Sequence, residues 1–297
     1  MFPCFKESEM TPLRQHMIDA MQVRGLASRT QKSYLAAVAA LARHHGCSPE
    51  LLDDTQVRNY LLHLTRDRHL ARSSVNQAGC AFRFLYRTVL QRPQEFQVPL
   101  AKSQQKLPEI LSREELAQLF ACAAEGKPRI VLMTAYGLGL RVGELCRLRV
   151  ADIDGHADRM CVRVVQGKGA KDRYVPLPED VRELLRAWWR RAHPRDWLFA
   201  AQSDSSKPLL EDSASRWYHA ARSRAGITKQ GGIHSLRHCY ATHLLEAGVD
   251  LHSLSQWLGH RHVATTTRYL HLARPDAPDG IRRAPMELLR AVRLPSH

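Results

Sequence analysis

Seven of the sixteen histidines lie between Gly231 and His271, together with three arginines and two tyrosines. His234 and Arg237 are three residues apart at the start of a predicted helix, so their side chains are expected on one face. A helix N-terminus favours an anion, and an imidazole beside a guanidinium fork strengthens that preference. Tyr269 follows in a polar run, where its phenol oxygen could attack phosphorus. These residues predict a phosphate site with an oxygen nucleophile.

Zinc binding is the alternative chemistry for these histidines. His234, His238 and His243 could supply ligands, but His238 and His243 are five residues apart. Zinc sites favour two histidines four apart on a helix, or a pair of closely spaced cysteines. Each histidine taken alone is more often an ordinary core or surface residue than a catalytic one. We therefore expect no bound metal.

Arg141 lies in the glycine-rich segment YGLGLRVGEL. A dinucleotide-binding loop is one interpretation, but its third glycine would be Gly143, one place late, and no strand leads into the segment. We instead expect a tight turn that presents Arg141 at a helix start, with Glu144 one turn later to hold the guanidinium. An arginine fixed in this way is suited to a phosphate.

Lys168 is expected at the tip of a β-hairpin. Residues 160–165 and 173–177 favour strands and flank the turn-like segment GKGAKD. This segment is not a P-loop, because Gly169 takes the place of the hydroxyl residue. A lysine at such a tip could contact DNA or donate a proton to a departing oxygen, and taken alone the contact is the more frequent role.

Helices are expected to position most of these side chains. Apolar residues at three-to-four spacing predict an amphipathic helix over 235–247, ended by Gly248. Ser112 and Glu115 form a capping box at the start of another helix. Further helices are predicted over 130–136, 181–191, 213–225 and 286–292.

The N-terminal part of the chain predicts a bundle of four helices. Their expected starts are Thr11-Pro12, Ser28, Asp54-Thr55 and Ser73-Ser74, each followed by apolar residues at helical spacing. Polar and basic side chains on the outer faces suit a DNA major groove and its flanking phosphates. A plain solvated face is the alternative, and the net charge favours DNA. The candidate DNA-contacting residues are Arg29, Lys32, Arg72, Asn76, Gln77, Arg83 and Arg87.

Positive charge is spread over the whole chain. The 297 residues include 44 Lys and Arg against 29 Asp and Glu, a net charge of +15. Residues 1–107 hold 15 basic and 8 acidic side chains, and residues 108–297 hold 29 and 21. Both halves are therefore expected to contact one long polyanion, although a basic surface without a partner would have the same composition.

A polar stretch bracketed by Pro93, Pro99 and Pro108 has no helical periodicity and is the expected linker. A linker between two cationic domains would let them close around a duplex. The expected domains are an N-terminal helical domain over 1–95, a linker over 96–110, a catalytic domain over 111–275 and a tail over 276–297.

The seven cysteines include no C-x-x-C pair, which disfavours both a disulfide framework and a zinc knuckle. They fit a reducing cytosol. No apolar run approaches the roughly 18 residues of a membrane helix, and the first residues lack a signal peptide's apolar region. The expected location is the cytoplasm, in association with the nucleoid and without a membrane partner.

Five motifs carry the candidate residues in a fixed order: GLGLRVGEL, GKGAKDR, HSLRHCYATHLLEAG, LGH and TTTRY. Together they resemble the tyrosine recombinase (phage integrase) family, and the resemblance covers nearly the whole chain. It implies a mainly α-helical protein with a small β-sheet or hairpin. A four-helix, SAM-like core-binding domain would precede an α+β catalytic domain.

The resemblance also implies catalytic roles. Tyr269 would attack the scissile phosphodiester and form a 3′-phosphotyrosyl link, while Arg141 and Arg237 would hold the non-bridging oxygens. Lys168 would protonate the departing 5′ oxygen. Neither a metal nor a nucleotide cofactor is implied, because arginines supply the charge and the covalent link conserves the phosphodiester energy.

Two further catalytic residues and two supporting residues are implied. As catalytic residues, His234 would assist proton transfer, and His260 would donate a hydrogen bond to the phosphate. Glu144 would hold Arg141 in place, and His238 is the second histidine of its motif.

The implied activity is site-specific recombination of double-stranded DNA by a homotetramer on paired sites, in a bacterium, a phage or another mobile element. A type IB topoisomerase-like enzyme, a non-catalytic DNA-binding protein of the same fold and a magnesium nuclease are the alternatives. The complete set of six motif residues argues against the non-catalytic protein, and the lack of carboxylates at metal-binding spacing argues against the nuclease. The short segment between Arg191 and Ser213 disfavours the integron type, which carries an extra helical insertion there.

Overall fold

The computed structural model describes residues 11–92, 107–165, 172–260, 264–267, 269–270 and 272. The chain divides into two compact units between Gln105 and Lys106. Lys168, most of the predicted linker and the whole predicted tail helix lie outside the described residues. Within the described residues, no helix combines the length and the apolar character that a bilayer crossing requires.

The first unit is a bundle of four helices, as its apolar spacing predicts. A 3-10 turn, Pro49–Leu51, precedes the third helix, and a π-helical turn, Leu85–Val89, extends the fourth. The helices share one apolar core that includes Met21, Leu41 and Phe82. Their bounds are α1 (Pro12–Val23), α2 (Ser28–His45), α3 (Asp54–Arg66) and α4 (Arg72–Phe84).

The helix starts of this unit agree only partly with the prediction. Thr11 caps α1, accepting a hydrogen bond of 3.3 Å from the backbone N–H of Arg14. The prediction that Ser28 caps α2 is wrong, because Ala27 holds that position and no side chain caps this helix. α4 begins at Arg72, one residue earlier than predicted and again after an alanine. A cap contributes about 1 kcal/mol, and the packing of α2 against α4 stabilises these helices without one.

The second unit is mainly helical. Its helices are α5 (Arg113–Ala121), α6 (Lys127–Gly137), α7 (Val142–Cys146), α8 (Glu179–Ala192), α9 (Glu211–Arg224), α10 (His234–Glu246), α11 (Leu251–Leu258) and α12 (Ala264–Thr267). α6 lies at the centre, since residues 130–137 are all buried and the helix packs against α8, α9 and α10. The predicted capping box at the start of α5 is confirmed: Ser112 and Glu115 exchange hydrogen bonds of 3.2 and 2.6 Å.

A small antiparallel sheet completes the second unit. Its strands are β1 (Ile153–Asp154), β2 (Cys161–Val164) and β3 (Arg173–Pro176), in the order β1-β2-β3. The predicted hairpin is confirmed, and Val164 pairs with Arg173 next to the loop that joins the two strands. The two-residue strand β1 was too short for a periodicity to reveal it. The hairpin tip, residues 166–171, lies outside the described residues.

α10 differs from the predicted amphipathic helix, because it is buried on nearly all sides. It packs against α6 and α11. Two of its polar core residues have internal partners: Nδ1 of His243 lies 3.0 Å from the hydroxyl of Tyr136, and Arg237 donates to the carbonyl of Gly139. Since a buried polar group is tolerated when it is hydrogen-bonded, polarity along this helix does not mark a solvent face. The buried residues are Ser235, Leu236, Arg237, Cys239, Tyr240, Ala241, Thr242, His243 and Leu244.

Candidate active site

Arg141 stands immediately before α7, as the glycine turn predicts. Its Nη1 donates to Oε1 of Glu144 at 2.7 Å, and its backbone N–H donates to Oε2 at 2.8 Å. Its Nη2 donates to the carbonyl oxygen of Gly259 at 3.2 Å. The side chain is 25% exposed. Arg141 is therefore held in a fixed orientation and is still accessible to an anion.

Arg237 is a buried cation whose side chain is only 1% exposed. Nη1 donates to the carbonyl of Gly139 at 2.7 Å. Nη2 donates to the carbonyl of Leu258 and lies 3.3 Å from Nε2 of His260. Burial and the nearby charge of Arg141 lower the pKa of Arg237 to about 9. This pKa is above neutral, so the guanidinium is charged at pH 7.

The turn that holds Arg237 requires glycine at position 139. Gly139 has a φ of +58°, and a Cβ built there would lie 2.3 Å from Cδ1 of Tyr240. Any other residue would meet both the left-handed backbone penalty and the aromatic ring. Gly139 therefore serves a close approach of backbone to Arg237 and Tyr240.

Glu144 joins Arg141 to a second arginine that is not among the predicted site residues. Arg173 donates from Nη1 to Oε1 at 2.9 Å and from Nη2 to Oε2 at 2.7 Å. Burial would raise the pKa of Glu144, but hydrogen bonds and charge from Arg173, with hydrogen bonds from Arg141, outweigh it and hold the pKa at about 2. Glu144 is thus ionised at pH 7. Arg173 is the last residue of the motif GKGAKDR. Its place in that motif was the only feature of the sequence that could have marked it as a site residue.

His260 follows the C-terminal end of α11 and faces both Arg237 and Tyr269. Its Nδ1 lies 2.7 Å from Oγ1 of Thr266. Because a guanidinium can only donate, Nε2 accepts from Arg237, and the hydrogen-bond pattern assigns the ring proton to Nδ1. The His260 ring stacks on the Tyr269 ring at 13°, with centroids 6.3 Å apart.

Tyr269 is buried, with 2% of its surface exposed. Its hydroxyl oxygen lies 2.9 Å from Nδ1 of His238. The His238 ring in turn meets the His234 ring edge-on, with centroids 4.6 Å apart, and His234 is exposed. The structure thus places His238, rather than His234, in hydrogen-bond contact with the phenol.

Positive charge exceeds negative charge at this site. Arg141, Arg173 and Arg237 surround the single carboxylate of Glu144, with Nη1 of Arg237 at 3.9 Å from it. Three buried or half-buried cations against one anion leave a positive potential that favours an anionic ligand. Among the described residues, no three side chains of metal-ligating types are grouped closely enough to hold an ion.

The candidate DNA-contacting residues all lie on the first unit. Two are on α2, four on α4 and one on the π-helical turn. Gln77 also donates to Oγ of Ser33 across the α2–α4 contact. The exposed members are Arg29, Lys32, Arg72, Gln77 and Arg87, and the half-buried members are Asn76 and Arg83.

Comparison with known proteins identifies the family. The model of the phage integrase family matches residues 109–275, and the model of the phage integrase N-terminal SAM-like domain matches residues 13–95. The chain belongs to the phage integrase family. The predicted resemblance to tyrosine recombinases is therefore confirmed.

Individual relatives of this integrase support the same family assignment. The protein y4qK of Sinorhizobium fredii, named as an integrase/recombinase, is 42% identical over 271 residues, which cover 90% of this chain and 87% of the relative. Tyrosine recombinase XerA of Thermococcus kodakarensis is 34% identical over 215 residues, or 71% and 74% of the two chains. A crystal structure of a lambda integrase dimer bound to a COC′ core site shares the fold, with a TM-score of 0.69, 19% identity and coverage of 85% and 95%.

Family membership settles the class of this integrase. It is a tyrosine recombinase, an enzyme that breaks and rejoins DNA in site-specific recombination. The predicted fold class, mainly helical with a small sheet and a SAM-like first domain, is confirmed. DNA is its partner. Neither a topoisomerase-like activity nor a non-catalytic role is favoured.

Proposed function

We propose that Tyr269 is the nucleophile of this recombinase and that Arg141 and Arg237 bind the scissile phosphodiester. The convergence of Tyr269, Arg237 and His260 at the end of α11 is the observation that supports this proposal. His260 stacks on the phenol ring and contacts the Arg237 guanidinium at 3.3 Å. An anion bound by the two arginines would therefore lie next to the phenol of Tyr269.

The proposed reaction is a transesterification at phosphorus. The Tyr269 oxygen forms a bond to phosphorus as the bond from phosphorus to the 5′ oxygen breaks, which leaves a 3′-phosphotyrosyl link and a free 5′ hydroxyl. Arg141 and Arg237 stabilise the charge on the non-bridging oxygens. His260 donates to one of them from a protonated Nε2, which then no longer accepts from Arg237. Rejoining reverses these steps with the 5′ hydroxyl of a second strand.

Two proton transfers accompany the reaction. His238, which contacts the phenol oxygen at 2.9 Å, takes the Tyr269 proton. His234, whose ring meets that of His238, assists this transfer. Lys168 protonates the departing 5′ oxygen; this role rests on its position in the motif GKGAKDR. Glu144 holds Arg141 for its task.

Tyr269→Phe tests the nucleophile. A nicked duplex that traps the cleaved strand should become covalently attached to the wild-type chain, in the presence of EDTA, and not to Tyr269→Phe. DNA affinity of the variant should stay within about threefold, because only one oxygen is removed. Tyr174→Phe is the matched control, since this tyrosine of β3 is 62% exposed and its loss should leave attachment intact. Attachment to Tyr269→Phe at the wild-type level would contradict the assignment.

We also propose that both units contact the DNA. The two domains, residues 1–95 and 111–275, would close around a duplex and would be joined by a linker over 96–110. The candidate residues of α2 and α4 would contact the DNA. Four copies would act on two paired sites, with the tail over 276–297 available for contacts. The setting would be the bacterial cytoplasm, where a phage or another mobile element supplies the sites. The matches to both family domains support this division.

Plasmid topology tests the paired-site requirement. A supercoiled plasmid with two sites should give recombinant circles, and a plasmid with one site should give almost no relaxed product. Chemical cross-linking of the two-site complex should capture four copies. Efficient relaxation of the one-site plasmid would instead indicate a topoisomerase-like enzyme acting as a monomer.

A further inference from the structure

The C-terminal end of α11 is bound by three arginines. The N–H groups of Gly259 and His260 return to the carbonyls of Gln256 and Ser255, in the pattern of a Schellman motif. Each of the next three carbonyls accepts from a different guanidinium. Trp257 accepts from Nε of Arg173 at 2.7 Å, Leu258 from Nη2 of Arg237, and Gly259 from Nη2 of Arg141 at 3.2 Å.

Arg173 connects this helix end to Glu144. Its Nε binds Trp257, while Nη1 and Nη2 form two parallel hydrogen bonds to the carboxylate. Such a fork fixes both distance and direction. The side chain also packs on Gly259, where a Cβ would lie 2.8 Å from Cδ of Arg173. Position 259 therefore has to be glycine for Arg173 to reach both partners.

Arg173 also belongs to the strand pair next to the hairpin loop. It is the first residue of β3 and pairs with Val164. This pair encloses residues 165–172, which include the hairpin tip. Lys168 belongs to that tip. One side chain thus holds the carboxylate behind Arg141, the helix end before His260 and the hairpin that carries Lys168.

We infer that Arg173 is a positioning residue of the recombinase, acting through Glu144 and the α11 terminus rather than on DNA. The inference rests on the proposed function. All three nitrogens of its guanidinium are engaged with the protein, and the side chain is 10% exposed. Arg141, in contrast, is 25% exposed. Loss of Arg173 removes two of the hydrogen bonds to Glu144 and the one to Trp257, so that Arg141 and the α11 end shift.

Replacement of Arg173 should separate cleavage from binding. Arg173→Met should slow covalent trapping of the nicked duplex about 100-fold, the effect of a misplacement near 1 Å, with affinity within threefold. Arg173→Lys retains the charge but not the fork, and should recover less than a tenth of the lost rate. Arg163→Met is the matched control, since this arginine of β2 is 49% exposed. The Arg163→Met variant should cleave DNA at the wild-type rate. Melting temperatures identify any variant that fails to fold, and Arg173→Lys then carries the test.

Salt dependence distinguishes positioning from phosphate contact. The slope of log affinity against log salt should be unchanged in Arg173→Met and reduced by about one in Arg141→Met. Arg173→Met combined with Glu144→Gln should be no slower than the slower single variant, because both act through one contact. A reduced slope in Arg173→Met, a fully active Arg173→Lys, or additive losses in the double variant would overturn the inference.

The two proposals fail in different ways. A wild-type chain that forms no covalent link with DNA removes the proposed function. A wild-type chain that forms the link, together with an Arg173→Met variant that forms it at the same rate, removes only the role of Arg173.

Discussion

The hydroxyl oxygen of Tyr269 lies 2.9 Å from Nδ1 of His238, a residue 31 positions earlier in the chain. α10 holds the imidazole, and the turn after α12 presents the phenol. His234, which the motif resemblance selects for proton transfer, meets the ring of His238. The proton of the proposed nucleophile is therefore expected to pass first to His238.

Replacing His238 should slow cleavage more than replacing His234. His238→Gln keeps a polar side chain but cannot take up a proton, and should slow covalent trapping by about 100- to 10,000-fold, the usual range for a proton-transfer residue. His234→Gln should have a smaller effect, because it acts through His238. His252→Gln is the control, since His252 lies on the exposed face of α11. A larger loss in His234→Gln than in His238→Gln would reverse the two roles.

Gly139→Ala should destabilise the catalytic unit and misplace Arg237. The backbone penalty at positive φ is about 1–2 kcal/mol, and the overlap of the new Cβ with Tyr240 adds about 1–3 kcal/mol. Gly226→Ala is the matched control, because Gly226 also has positive φ, +66°, and has nothing within 4 Å of its Cβ position. Urea unfolding measures both variants, and equal losses would show that the Tyr240 contact has no effect.

Acid should destabilise the protein through His243. Burial and the charge of Arg113 lower the pKa of His243 to about 4, while an unfolded histidine titrates near 6.5. Between these values the unfolded chain binds a proton that the folded chain does not, so stability is lost as the pH falls from about 6.5 to about 4. The loss can reach roughly 3 kcal/mol.

Urea unfolding at pH 7 and pH 4.5 tests this loss. His243→Gln keeps a hydrogen-bonding group near Tyr136 but has no group that titrates. This variant should be less stable than the wild type at pH 7, and it should lose less stability on acidification. His156→Gln, at an exposed position, should show the wild-type pH dependence. Identical pH dependence in His243→Gln and the wild type would show that His243 is not the titrating group.

Basic residues of the first unit should contribute to DNA affinity through phosphates. Lys32→Met and Arg72→Met should each weaken binding and reduce the salt slope by about one. Arg58→Met is the control, because Nε of Arg58 is paired with Asp54 at 2.6 Å. Binding that weakens equally in all three variants would point to net charge rather than to contacts of α2 and α4.

Local features were predictable from the sequence wherever the interacting atoms lie within one turn of chain. Ser112 and Glu115 are three residues apart, and their capping box forms as predicted. The hold of Glu144 on Arg141 has the same spacing and follows the same logic. The four N-terminal helices and the β2–β3 hairpin follow from periodicity, because burial of one face repeats at a fixed interval.

Only the tertiary structure decided which polar groups are internal and which distant residues meet. α10 reads as amphipathic because its polar residues were expected to face water, whereas Arg237 and His243 are buried with partners from α6, α11 and the turn before α7. The contact of Arg173 with Glu144 spans 29 positions, and that of Arg173 with Trp257 spans 84.

The amino-acid sequence by itself determined the family and the helices, and it supplied the side chains that are proposed to react. The tertiary structure decided that His238 touches Tyr269 and that Arg173 links Glu144 to α11. The physical reason is that periodicity and capping depend on neighbours within a few residues. A contact between distant segments depends instead on how whole helices pack, and no local pattern records that.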